Sequence, residues 1–269
     1  VCDYDRIFAA VESRRHLFRP ANDIQNAFGR VIVLADAAHA FGAQWHGKRC
    51  GSIADFTSFS FHAVKNLTTA EGGALTWRDR EGVDNDALYK HFQLLSLHGQ
   101  NKDALAKTKL GAWEYDIIEA GYKFNLPDIL SAIGREQLKK QDKFLDNRAA
   151  IADMYNEAFK DFDFIELPPN DDGNCWYMYL LRLKFDKLDC DRTTFAKEMQ
   201  AEGIGISVHF IPHFHFTYWK NRGLRAEDFP NAEKAYQRTI TIPLYPDMTA
   251  EQVSRVVETV KKIGEAHRK

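Results

Sequence analysis

Between positions 36 and 73 the sequence gathers residue types that together could do amine chemistry: a carboxylate, Asp36; an imidazole, His39; a hydroxyl, Ser60; and an amine, Lys65. The run Val31-Ile-Val-Leu-Ala35 before Asp36 is short, apolar and β-branched. That pattern predicts a strand buried on both faces, of the kind found in parallel sheets. Asp36 then stands at the carboxyl end of a buried strand, where open α/β sheets place their ligands. A second predicted strand, residues 54–61, carries Ser58 and Ser60, and Lys65 follows across a turn. A carboxylate, a lysine and hydroxyls at one sheet edge meet the needs of pyridoxal phosphate. A lysine amine condenses with an aldehyde and later carries a proton from the substrate. Burial that disfavours the ammonium keeps that amine available. An aspartate beside the ring nitrogen keeps it protonated, so that the ring withdraws electrons. Serine hydroxyls and backbone N–H groups hold a phosphate, and an imidazole stacks on the ring or bonds its phenolic oxygen.

Each of these residues also has an ordinary reading. A lysine is usually a solvated surface charge, Asp36 could cap a helix, His39 could be a satisfied core histidine, and Ser60 a sheet residue. Spacing alone leaves both readings open.

The elements that must position these residues are legible in outline. Helices are predicted over residues 6–15 and 22–29, the latter ending at a glycine. A third strand covers 72–77, closed by the charged turn 78–81. From Pro127 and Asp128, which suit a first helical turn, Leu130, Ile133, Leu138, Leu145, Ala152, Tyr155 and Phe159 recur at helical spacing to about residue 162. A loop at 168–173 breaks that pattern. Strands follow at 176–183, 204–210 and 239–242, with helices at 192–202 and 249–266, Thr249 serving as N-cap. The fold class is α/β, with a domain boundary along the long helix: residues 1–145 form a large domain with a mainly parallel sheet, and 146–269 a smaller α/β domain.

Of the 269 residues 45% are hydrophobic and 28% charged, with a formal net charge of -2. This is the composition of a globular protein. Acid and base are spread along the chain, which leaves no basic face for nucleic acid and no polybasic patch for a membrane. No apolar run is long enough for a membrane helix, and no signal peptide opens the chain. Cys2, Cys50, Cys175 and Cys190 form no Cys-x-x-Cys pair; reduced thiols in a cytoplasmic protein are expected. No metal-ligand set is expected.

Specific motifs refine this. Asp36-Ala-Ala-His39, Gly42-Ala43, Gly47-Lys48, Gly51-Ser52, Phe59-Ser-Phe-His62, Lys65-Asn66 and Glu71-Gly-Gly73 stand in one order. Leu97-His-Gly99, Trp113-Glu-Tyr115, Gly121-Tyr-Lys-Phe-Asn-Leu-Pro-Asp128, Val208-His-Phe-Ile-Pro212 and Ile242-Pro-Leu-Tyr-Pro246 follow. Together they resemble the DegT/DnrJ/EryC1/StrS family of sugar aminotransferases over nearly the whole chain. The resemblance implies the fold type I of pyridoxal-phosphate-dependent transferases. It makes Lys65 the Schiff-base lysine, Asp36 the partner of the ring nitrogen, His39 a ring contact and Ser60 a phosphate contact. Asn125 lies in a loop that the family presents to a neighbouring subunit's phosphate, which implies a homodimer. His209 and the aromatic run Phe214, Phe216, Tyr218 are candidates for sugar-nucleotide contact, with small-domain core as the alternative.

The resemblance further implies transamination of a nucleotide-linked keto-sugar at C4, with glutamate as amine donor. The Gly-Tyr-Lys-Phe-Asn loop is closer to members that make 4-amino-4-deoxy-arabinose on a nucleotide. A branch that replaces the lysine by histidine performs dehydration, and Lys65 argues against it. The family's phosphate loop and its ring-stacking aromatic, which precede the acidic strand end, have no counterpart in residues 1–31. An N-terminally truncated aminotransferase is therefore expected, and the alternative is a catalytically silent fragment or binding module that keeps the fold.

Overall fold

The computed structural model describes residues 2–101, 114–170 and 173–269. The chain divides into two compact units, Val1–Lys140 and Gln141–Lys269. Among the described residues no helix is long and apolar enough to cross a membrane, and no disulfide joins the four cysteines.

The first unit begins with α1 (Tyr4–Ser13), capped by the Asp3 carboxylate on the Arg6 N–H at 3.0 Å. In α2 (Asp23–Phe28) the Asn22 side chain accepts from the Gln25 N–H, and Gly29 closes the helix at φ 62°, a left-handed conformation suited to glycine. Strand β1 (Leu34–Asp36) follows, then the hairpin β2 (Gln44–Trp45) and β3 (Lys48–Arg49), then β4 (Phe56–Ser60) and β5 (Gly73–Trp77). His46 and Gly47 both have positive φ in the two-residue turn between β2 and β3, the geometry that matches strand twist in a tight hairpin. Helices α3 (Asn85–Ser96) and α4 (Asp128–Leu138) complete the unit, with Pro127 at the N-cap of α4.

The sheet order is β1-β4-β5. β1 runs parallel to β4, pairing Leu34 with Phe56 and Asp36 with Ser58, whereas β4 and β5 are antiparallel, pairing Ser60 with Gly73. The sheet is thus mixed: the parallel arrangement expected of it holds at one junction. β4 alternates as predicted, with Thr57 and Phe59 buried. β1 does not match the expectation of burial on both faces. Only Ala35 is buried, and Leu34 is 65% exposed, because among the described strands β1 has a neighbour on one side alone.

A buried ion pair sets the start of the parallel junction. Arg30 Nη1 and Nη2 donate to Asp55 Oδ2 and Oδ1 at 2.7 and 2.9 Å, and Asp55 Oδ2 also accepts the Val33 N–H at 2.8 Å. Arg30 Nη1 donates to the Val31 carbonyl as well, and its Nε lies 3.1 Å from Glu12. The two charged side chains of the pair are only 6% and 5% exposed. Bidentate geometry and full hydrogen bonding are what make such a pair tolerable away from water.

The second unit packs α5 (Gln141–Phe159), α6 (Arg192–Ala201) and α9 (Ala250–Ala266) on an antiparallel sheet of β6 (Ile165–Glu166), β7 (Tyr179–Leu183) and β8 (Thr239–Ile242), in the order β6-β7-β8. The short helices α7 (Thr217–Lys220) and α8 (Pro230–Arg238) precede β8. Tyr155, Phe159, Tyr179, Leu181, Phe195, Met199, Ile240 and Val260 form a core from which water is excluded. Arg148 is buried in it and donates to the carbonyls of Trp176, Tyr177 and Leu244; burial lowers its pKa. Thr249 and Gln252 form a reciprocal capping box at the start of α9.

Three expectations need correction. The single helix from Pro127 is two helices, broken at Lys139–Lys140, residues whose types give no signal of a break. Its predicted apolar stripe also divides: Ala152, Tyr155 and Phe159 are buried, but Ile133 and Leu138 are exposed. Residues 204–210 form no strand; only Ser207 bridges to Thr241 before the His209 ring bonds the Thr241 hydroxyl.

Replacing Asp55 with Asn would leave the Arg30 guanidinium buried against a neutral group. The expected cost is about 3–5 kcal/mol, whereas Glu12→Gln, at a half-exposed carboxylate, costs under about 1 kcal/mol. Urea unfolding of the two variants checks this, and equal small losses would contradict it.

Candidate active site

The carboxyl ends of β1 and β4 bring the predicted residues together. Asp36 ends β1, opposite Ser58, and its Oδ1 accepts the Ala38 N–H at 3.0 Å. It caps a turn after the strand, not a helix. The Ala37 N–H donates to the Ser58 carbonyl and the Ala40 N–H to that of Ala37, so that the chain turns at once and carries His39, half-buried, away from the strand. The Phe41 ring meets Phe59 and Phe61 edge-on, at 5.4 and 5.8 Å, and fixes this segment over the end of β4.

Ser60 closes β4, and the chain then makes the turn that carries Lys65. The Phe61 N–H donates to Gly72, the Thr69 N–H donates to Phe61, and the Lys65 N–H donates to His62. The buried side chains of Asn66, Leu67 and Thr69 anchor the turn from below. Thr69 Oγ1 donates to the Glu71 carbonyl at 2.7 Å. Glu71-Gly-Gly73 is needed here for a steric reason. A Cβ on Gly72 would lie 2.4 Å from Thr69 Oγ1, and one on Gly73 would lie 2.6 Å from the Phe59 carbonyl. His62 Nε2 stands 3.7 Å from Glu71 across the mouth of the turn.

Lys65 is half-buried, and burial lowers the pKa of its amine while the Asp36 charge acts in the opposite sense. Partial desolvation thus favours the neutral amine, and the carboxylate is near enough to act on it electrostatically. A lysine with a lowered pKa, an aspartate and a serine on neighbouring strand ends form a donor set that fits pyridoxal phosphate: an amine for its aldehyde, a carboxylate for its ring nitrogen and a hydroxyl for its phosphate.

The other predicted residues sit apart from this set. Leu97-His-Gly99 and the segment from Gly121 pair with each other: the His98 N–H donates to Tyr122, the Phe124 N–H to Ser96, and Leu97 bridges Lys123. A Cβ on Gly99 would fall 1.8 Å from the Glu119 carbonyl, which accounts for a glycine there. Asn125 accepts from Lys123 Nζ and lines a cavity of about 560 Å³ with Glu71, Gly72, Gly73 and Leu126. Lys65, Asp36, His39 and Ser60 are not among that cavity's described lining residues. Trp113, part of a quoted motif, lies outside the described residues.

In the second unit His209 lines a cavity of about 590 Å³ with Glu166, Arg182, Lys234, Tyr236 and Arg238. Glu166 accepts from Arg182 and Arg238 at 2.9 and 2.6 Å, and those bonds, the Arg238 bond foremost, hold its pKa below the usual carboxylate range. Tyr218 is not among the described residues of that cavity; it is exposed on α7 with the Arg222 guanidinium 3.5 Å over its ring. Phe214 takes the core alternative, buried and stacked on Phe229 at 5.4 Å, while Phe216 is exposed. Sequence reasoning missed Arg30, Asp55 and Thr69, which position the strands and the turn. Arg30 and Asp55 are 25 residues apart, with no local pattern joining them.

The DegT/DnrJ/EryC1/StrS aminotransferase family model matches residues 21–261. The spore coat polysaccharide biosynthesis protein SpsC of Bacillus subtilis is 38% identical over 267 residues, covering 97% of this chain and 63% of SpsC. Spr1654 from Streptococcus pneumoniae, in its PMP-form, superposes with a TM-score of 0.91 at 41% identity, over 99% of this chain and 67% of that one. Helicobacter pylori PseC, an aminotransferase involved in the biosynthesis of pseudoaminic acid, superposes with a TM-score of 0.73 at 27% identity, over 88% and 60%. The chain spans about three-fifths of the length of the curated relatives it matches. Its α/β fold is that of the pyridoxal-phosphate-dependent transferases of fold type I. On this evidence the chain belongs to the DegT/DnrJ/EryC1/StrS aminotransferase family.

Proposed function

We propose that the protein is a cytoplasmic, homodimeric, pyridoxal-phosphate-dependent aminotransferase. It converts a nucleotide-linked 4-keto-sugar to an amino sugar, with glutamate as donor, for surface polysaccharide or related sugar biosynthesis. The observation that carries this reading is that Asp36 ends β1 opposite Ser58 of β4 while Lys65, half-buried, sits on the turn that leaves β4, where burial lowers its pKa. Family membership, the polysaccharide role in the name of SpsC, and the PLP- and PMP-forms of Spr1654 support it.

When bound, the cofactor supplies an aldehyde that carries the amino group and a ring that accepts electrons from the carbon losing its proton. Lys65 would hold that aldehyde, and its Nζ would take and return the substrate proton. Asp36 keeps the proton on the ring nitrogen, and the Ala38 N–H bond fixes the carboxylate for that task. Ser60 would donate to the phosphate, and His39 would contact the ring. Asn125 serves a partner subunit's phosphate, and His209 and Tyr218 contact the sugar nucleotide.

Two outcomes are expected. In the full-length enzyme, assayed with glutamate and a panel of nucleotide keto-sugars, a 4-keto substrate turns over fastest. Lys65→Ala lowers that rate by about a hundredfold or more, and Asp36→Asn lowers it comparably. Full activity in Lys65→Ala would contradict the lysine assignment. In the cofactor-free chain, competitive acylation across a pH series gives Lys65 a midpoint below that of the other lysines. Because the Asp36 charge favours the ammonium, Asp36→Asn moves this midpoint further down; an upward move would contradict the pairing.

A further inference from the structure

The C-terminal helix ends on a cluster that neither candidate site uses. His267, the residue that closes α9, stands between two carboxylates: its Nδ1 is 2.7 Å from Asp189 Oδ1 and its Nε2 is 2.9 Å from Glu198 Oε1. Cys190 is adjacent, and one donor atom each from Asp189, Cys190 and His267 lies within 4.8 Å of the others. We propose that Asp189, Cys190 and His267 bind a single divalent transition-metal ion of the zinc class, with Glu198 orienting the imidazole.

A thiolate, an imidazole and a carboxylate form a ligand set that zinc accepts, with a fourth position left for water. A tetrahedral zinc ion with bonds of about 2.0–2.3 Å keeps its ligand atoms roughly 3.3–3.8 Å apart, so Asp189 Oδ1 and His267 Nδ1, now 2.7 Å apart, must separate by about 0.6 Å or more, and no donor pair needs to close by more than about 1 Å. The two imidazole nitrogens divide the work. Nδ1, on the side of Asp189, faces the ion, while Nε2–H donates to Glu198, which fixes tautomer and ring direction as outer carboxylates do in histidine metal sites.

The scaffold is rigid without any ion. Leu188 and Arg268 form an antiparallel bridge, the Asp189 N–H donates to the His267 carbonyl at 2.9 Å, and the Lys269 N–H donates to Lys187 at 3.0 Å. The backbone therefore holds the Asp189-Cys190 pair against His267 independently of the side chains, and the Asp191 carboxylate caps α6 directly after them. Such preorganisation is what a metal site asks of its supports.

The protonation balance is specific. Hydrogen bonds to Glu198 and then Asp189 raise the His267 pKa, and burial raises that of the Cys190 thiol, followed by the charges of Asp189 and Glu198. Metal ligands must be deprotonated, so binding M²⁺ through Nδ1 and Sγ releases protons.

The test uses the full 269-residue chain, stripped with a chelator and kept free of pyridoxal phosphate, so that no cofactor absorption overlaps. Equilibrium dialysis against Zn²⁺ should give about one zinc per chain, with protons released in weak buffer. Co²⁺ should produce thiolate-to-metal charge-transfer absorption. Cys190→Ser, with an unchanged circular-dichroism spectrum, should abolish that absorption and weaken zinc binding by at least about tenfold. Glu198→Gln should weaken zinc binding by about ten- to a hundredfold while keeping the absorption. No bound zinc, no thiolate absorption, or equal zinc binding by Cys190→Ser would overturn the proposal and leave the cluster an ion-pair clamp on α9.

Discussion

The parallel junction between β1 and β4 rests on the contact of Arg30 with Asp55. Asp55 immediately precedes β4, and Arg30 lies four residues before β1, so one bidentate pair sets where both strands begin. From that origin the register follows residue by residue. Leu34 meets Phe56, Asp36 meets Ser58, and Ser60 emerges at the strand end from which the Lys65 turn departs. The pair brings its own desolvation penalty, which the Val33 N–H and Val31 carbonyl bonds offset by using the remaining donors and lone pairs. A slip of one residue would send Asp36 to the other face, because side chains alternate along a strand.

The lysine turn depends on a second constraint, which is steric. Gly72 and Gly73 let the chain return within reach of Phe59 and Thr69, where any side chain would collide. Thr69 then ties the turn to the Glu71 carbonyl, and its methyl leaves no room for a Cβ on Gly134 of α4. Sheet, turn and helix are thus held together by small residues and one hydroxyl. The half-buried Lys65 amine, with its lowered pKa, follows from that packing.

Much of the site was legible in the sequence because its signals are local. Alternation in β4, the glycine after α2 and the Glu-Gly-Gly element each act over a few residues and each has a counterpart in the structure, and the apolar run ahead of Asp36 marks the strand though not its burial. What could not be read depends on residues distant in the chain. Arg30 and Asp55 have no shared local pattern, and Asp189 and Cys190 meet His267 only when α9 is packed. The break at Lys139–Lys140 carries no glycine or proline, so helical periodicity ran through it. Residues 204–210 look like a strand by composition, but the Thr241 hydroxyl claims the His209 ring and only Ser207 pairs. Phe214 and Tyr218 are similar in type; packing against Phe229 alone decides that the first is core.

The Lys65 amine, on the turn that leaves β4 beside the end of β1, is the proposed point of cofactor attachment. Incubating the full-length enzyme with pyridoxal phosphate, reducing with borohydride and mapping the peptides tests it directly. The expected result is a yellow protein whose stable adduct lies on the peptide containing Lys65 and is absent from Lys65→Ala. A colourless protein with no adduct, or label spread over surface lysines alone, would contradict it.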